Sequence, residues 1–170
     1  MASLVEELVS VLESEETLYH TMVGYGEEKR EVLIRADVPA LERITALEQV
    51  TSDDLMSLSN RQIRILNDIA IVLGKNQGEM TVSKLIDTLG SQPEIQQKLT
   101  GVRDRLIAVA GELQHLNDEN IVLLRQAIEL NEFDLTLFKS YRQAPETANY
   151  DKNACSTGSR LGGSGFDISS

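Results

Sequence analysis

The chain has 170 residues, enough for one domain with a sizeable core, and a formal net charge of −11. That acidity excludes a protein that wraps nucleic acid, whose phosphates demand a basic face, and it disfavours an anionic membrane surface. Aromatic residues make up only 4%, without tryptophan, so a core here must come mainly from Leu, Ile and Val. The single cysteine, Cys155, cannot form an internal disulfide, so nothing asks for an oxidising compartment. MASLVEELVSVLESEE at the N-terminus carries acids early and has no basic flank, unlike a signal peptide. The longest uncharged apolar run, IAIVLG, is far short of the ~20 residues that span a bilayer. A cytoplasmic protein without stable membrane insertion is the expectation.

From about Ser3 to Arg35, apolar residues recur in steps of three and four: Leu4, Leu8, Val11, Leu18, Met22, Tyr25 and Val32. That spacing predicts a long amphipathic helix. Glu15 and Lys29 occupy the other positions of its seam, and Leu12, Tyr19 and Leu33 widen the apolar face. Ser3 is its expected N-cap, with Glu6 at capping-box spacing. RADVPALERI then breaks the pattern: Asp37 is a good N-cap, and Pro39 is tolerated in a first turn. The second helix runs from about Val38 to Leu73 through Leu41, Ile44, Leu47, Leu55, Leu58, Ile65, Leu66, Ile69 and Val72. Glu48, Thr51 and Gln62 interrupt this seam, and the polar stretch TSDDLMSLSNRQ predicts bending or solvent exposure in the middle.

GKNQGEM is a loop, and TVSKLIDTLG a short helix capped by Thr81 and ended by Gly90. Its face of Leu85, Ile86 and Leu89 is expected to pack over one end of the long helices. Ser91 is the expected cap of the last helix, with Pro93 early in it. From Leu99 its seam is unusually regular: Val102, Leu106, Val109, Leu113, Leu116, Asn120, Leu123, Ala127, Leu130, Asp134, Leu137 and Tyr141 follow in threes and fours. Such a run, with only Asn120 and Asp134 polar, is a coiled-coil-type signal. Ile95, Ile107, Ile121, Leu124, Ile128 and Phe138 broaden the stripe, which implies contact with more than one helix. The last stretch, QAPETANYDKNACSTGSRLGGSGFDISS, is rich in Gly, Ser and Asn, with apolar islands suited to docking. The predicted fold is all-α: an elongated antiparallel bundle of three long coiled-coil-like helices plus one short helix over residues 1–142. A disordered, flexible tail, 143–170, follows it.

Enzyme chemistry has little to work with. An active site needs convergent titratable groups, and the chain has two histidines and one cysteine. GKNQG lacks the GxxxxGK[ST] pattern and no strand precedes it, so it is not a phosphate loop. Glu112 and His115 form one E-x-x-H, a motif that di-iron bundles use twice with two further glutamates; both flank the seam instead of entering it. Glu16 and His20, one turn apart, are expected on a solvated face. No metal, no cofactor and no catalytic residue is expected. Asn120 has two readings that the sequence leaves open. It fixes register between helices, as a buried amide does in coiled coils, or it marks a part of the seam where a partner helix lies.

LQHLNDENIVLLRQAIEL, with Leu116, Asn117, Asn120, Leu123 and Leu124, resembles the L-N-x-x-N-x-x-L-L region of FlgN-type flagellar export chaperones. EEKREVLIRADVPALERI, the short MTVSKLIDTL element, and a tail with Tyr150-Asp151 and Phe166-Asp167 resemble that family too. The resemblance covers nearly the whole chain. It implies a binding protein of the cytoplasm that holds flagellar hook-associated proteins of the hook–filament junction by their helical C-terminal region. Such a protein prevents their premature self-association and passes them to the flagellar type III export apparatus. Client contacts are then expected from Asn120, Leu123, Leu124, Ala127, Leu130, Leu137 and Tyr141, and from Tyr150, Leu161 and Phe166 of the tail. The alternative is a structural coiled-coil adaptor whose long helix pairs with its own copy as a homodimer.

Overall fold

A computed structural model of the chain describes residues 2–90 and 92–143. Among them are four helices and no strand: α1 (Ala2–Arg35), α2 (Val38–Val72), α3 (Val82–Thr88) and α4 (Pro93–Gln143). The contacts divide the chain into two compact units, Met1–Ala127 and Ile128–Ser170. The predicted all-α helical bundle is the observed class of fold.

The helix ends follow local chemistry. Asp37 caps α2: its Oδ1 accepts from the Ala40 N–H at 3.1 Å, with Pro39 in the first turn. Thr81 caps α3 in the same way, accepting from Lys84 N–H at 3.2 Å. Each oxygen satisfies one of the N–H groups that a helix start leaves without a partner. Ser3 does not act as predicted. Helix α1 already begins at Ala2, so Ser3 lies inside its first turn. Alanine, the strongest helix former, carries the turn past the serine. Ser91 lies outside the described residues.

Helices α1 and α2 meet through a two-residue turn. The Asp37 N–H donates to Val32 O at 3.1 Å and the Ala36 N–H to Leu33 O at 3.2 Å. This is a helix-closing turn with its penultimate residue left-handed, a place glycine usually fills. Here it is Ala36, at φ 54°. The reversal makes α1 and α2 antiparallel neighbours, tied by Arg61–Glu7 at 2.7 Å and Arg43–Glu28 at 3.5 Å. Arg105–Glu16 at 2.8 Å and Arg30–Glu119 at 3.6 Å join α4 to α1 in parallel register.

The buried apolar residues of the first unit form three clusters. One gathers Leu8 and Leu12 of α1, Ile65 and Ile69 of α2, Leu85 and Leu89 of the α3 region, and Leu99 and Val102 of α4. Thus α3 does cover one end of the long helices. A second joins Val23 of α1 to Val109, Leu113 and Leu116 of α4. A third, at the α1–α2 turn, holds Val32, Ala40 and Ile44. Polar side chains interrupt this core. Glu15 is 5% exposed, and burial pushes its carboxyl above the usual carboxylate range. Thr51 is buried as well, its Oγ1 donating to Leu47 O at 3.0 Å. The middle of α2 is solvent-exposed as predicted, at Val50 and Met56, but the helix runs unbroken through Val72. Leu47 and Val72, read as seam residues, are exposed: each lies where the neighbouring helices leave no facing surface.

Candidate functional site

The seam of α4 behaves in two ways. Leu99, Val102, Val109, Leu113 and Leu116 are buried, as the spacing predicts. Asn120 is the last buried residue of the run, at 5% exposure. Its amide Nδ2 donates to the backbone carbonyl of Gly26 in α1 at 2.8 Å. The bond exists because α1 and α4 come very close here. A Cβ at Gly26 would lie 2.6 Å from Leu116 Cδ2 and 3.1 Å from its Cγ, well inside contact distance. Glycine at 26 is therefore what admits Leu116 and lets Asn120 reach the backbone. The other half of the amide is unsatisfied: Asn120 Oδ1 is buried and accepts no hydrogen bond. A buried acceptor in that state costs about 1–3 kcal/mol.

Asn120 also lines a groove of about 460 Å³ within the first unit. Its walls are Met22, Lys29 and Leu33 of α1, Leu41, Thr45 and Glu48 of α2, and Asn117, Ile121 and Leu124 of α4. Lys29 and Glu48 form an ion pair across it and are both half-buried. The groove is thus apolar on most of its wall, neutral at its charged pair, and lined by a residue whose idle acceptor is closed to solvent. A second cavity, about 540 Å³, lies by the α2–α3 loop and is polar. Its Lys75 ammonium donates to Thr88 Oγ1 and its Lys84 ammonium to Glu79 O.

Of the predicted contact residues, Asn120, Leu123, Leu124 and Ala127 belong to the first unit. Leu123 and Ala127 are half-buried, and Leu124 is 40% exposed. Only Asn120 and Leu124 reach the groove. Leu130, Leu137 and Tyr141 belong to the second unit and are exposed, Tyr141 at 76%. With Phe133 they keep steps of three and four and share about 80° of the helix surface. Ile128, Leu135 and Phe138 form another exposed row on that segment, where the Arg142 guanidinium stacks 5.4 Å from the Phe138 ring. Tyr150, Leu161 and Phe166 lie outside the described residues. Sequence reasoning missed Phe133, because the seam steps through its neighbour Asp134, Leu135, which falls off the seam, and the α1 and α2 walls of the groove. A glycine inside the helical pattern at 26 was the one available signal for a close approach.

The histidine motifs assemble nothing. Glu112 and His115 are exposed, with His115 Nε2 3.4 Å from Glu119, and Glu16 is engaged by Arg105. Among the described residues no group of three potential metal ligands converges. No described helix is long and apolar enough to cross a membrane. No curated protein and no solved structure matches the chain. One family does, described as FlgN protein, and it matches residues 1–157, nearly the full length. The chain therefore belongs to the FlgN family.

Proposed function

We propose that this chain is a cytoplasmic export chaperone that binds the helical C-terminal region of flagellar hook-associated proteins. It keeps them from self-associating and delivers them to the flagellar type III export apparatus. Membership of the FlgN family supports the coarser part, a flagellar export chaperone that binds export substrates and not an enzyme. The observation that carries the rest is the row of exposed apolar residues on α4 beyond Asn120, among them Leu130, Leu137 and Tyr141. A helix this apolar and this exposed is matched to an amphipathic partner helix laid along it. The acidic chain, at −11, stays soluble while that surface is open. Leu123, Leu124 and Ala127 of the first unit, and Tyr150, Leu161 and Phe166 of the tail, are further proposed client contacts.

The test is titration calorimetry of the purified protein against the C-terminal segment of a hook-associated protein from the same organism. Full-length protein and a version ending at Gln143 are compared. Micromolar or tighter binding by the full chain is expected, with weaker binding after truncation. No heat with the full chain, together with sedimentation showing a concentration-independent dimer, would instead identify a self-pairing adaptor.

A further inference from the structure

We propose that the groove beside Asn120 receives one turn of the client helix, and that this turn supplies a bulky apolar side chain and a neutral hydrogen-bond donor. This rests on the chaperone reading and names the part of the client that the first unit selects. A helix about 10 Å across fills roughly 420 Å³ per turn, close to the groove's 460 Å³. The walls, through Leu33, Leu41 and Leu124, call for an apolar side chain. Lys29 and Glu48 already neutralise each other, so a charged occupant would have no counter-charge there. Asn120 Oδ1 needs a donor, which Asn, Gln, Ser or Thr provides without bringing charge. The oxygen is closed to solvent in the free chain, so the client turn reaches it only as the groove wall opens locally. A second copy of this chain is a poor occupant, because each copy carries −11.

The experiment is fluorescence anisotropy with a labelled C-terminal peptide of a hook-associated protein. The proteins are wild type, Thr45→Trp, Asn120→Leu and Ser57→Trp, full length and, for the first two, also ended at Gln143, each checked for helicity. Thr45 is exposed at the groove, so the indole fills the space without removing a core contact; Ser57 is exposed elsewhere on α2. Thr45→Trp should weaken binding at least about tenfold and Ser57→Trp should not. Replacing the Asn, Gln, Ser and Thr residues of the peptide one at a time by Ala should reveal one whose loss matters with wild type and not with Asn120→Leu. Wild-type binding that Thr45→Trp leaves intact would overturn the groove while the chaperone reading stands. No binding by wild type would remove both. A wild-type dimer dissolved by Thr45→Trp would make a second copy the occupant. Peptide binding that tightens on truncation at Gln143, but not in Thr45→Trp, would make it the chain's own tail.

Discussion

Replacing Gly24 and Gly26 by alanine, one at a time, should move stability in opposite directions. Both lie inside α1, where Gly→Ala gains about 1 kcal/mol of helix propensity. At Gly24 a Cβ meets nothing within 4 Å, so the full gain is expected. At Gly26 it would stand 2.6 Å from Leu116 Cδ2, so the buried Leu116 must retreat by nearly 1 Å. Overpacking of that kind costs about 1–3 kcal/mol. Asn120 lies one turn beyond Leu116 on α4, so the same retreat lengthens its 2.8 Å bond to Gly26 O, worth about 1 kcal/mol. The net expectation is a gain of about 1 kcal/mol for Gly24→Ala and a loss of about 1–3 kcal/mol for Gly26→Ala. Urea denaturation followed by circular dichroism at 222 nm resolves that gap, with the slope serving as a check on compactness. Equal stabilisation by both substitutions would refute the close approach of α1 and α4 that brings Asn120 to Gly26.

Asn120→Leu should raise stability by about 1 kcal/mol, because removing an unsatisfied buried acceptor, about 2 kcal/mol, outweighs losing the bond to Gly26 O, about 1 kcal/mol. If melting rises and client affinity is unchanged, Asn120 is a register device only. Glu15→Gln should stabilise the protein at pH 7 and not at pH 4. Burial raises the folded-state carboxyl above its ordinary value of 4.5, so the penalty is absent while both states are protonated and grows as pH climbs through that value. Urea midpoints at the two pH values test this, and an equal gain at both would point to packing instead. Ala36→Gly should add about 1 kcal/mol by relieving the left-handed backbone at φ 54°, read from the shift in thermal melting. A fall in melting temperature would mean that the alanine methyl makes a contact worth more than the strain.

Much of the fold could be read along the chain because its determinants are local. Asp37 and Thr81 cap helices through groups three residues away, and the α4 spacing finds its buried face as far as Leu116. The same spacing says nothing of where burial stops. Leu130, Leu137 and Tyr141 continue it, with Asp134 the one polar step between them, and are exposed, since periodicity records which residues share a face and not what lies opposite. The groove was hidden for a related reason. Met22, Leu33 and Leu41 each look like seam residues of their own helices, and only the spacing of three helices turns them into a wall. Asn120 was visible as an anomaly from the start. That its two ends meet different fates, one on Gly26 and one on nothing, depends on a glycine 94 residues away.

The division of the core sets how the first unit breathes. The cluster that includes α3 holds fifteen buried residues, while the one at the α1–α2 turn holds three. Local opening free energy follows the apolar contacts that must be broken, so amide protons near Val32 and Ile44 exchange well before those near Leu8 and Ile69. That loosely held end includes Leu33 and Leu41, two walls of the groove. The scaffold is firm where α3 closes it and yielding at the α1–α2 turn, so the proposed client turn would meet a wall that opens locally while the rest of the unit stays folded.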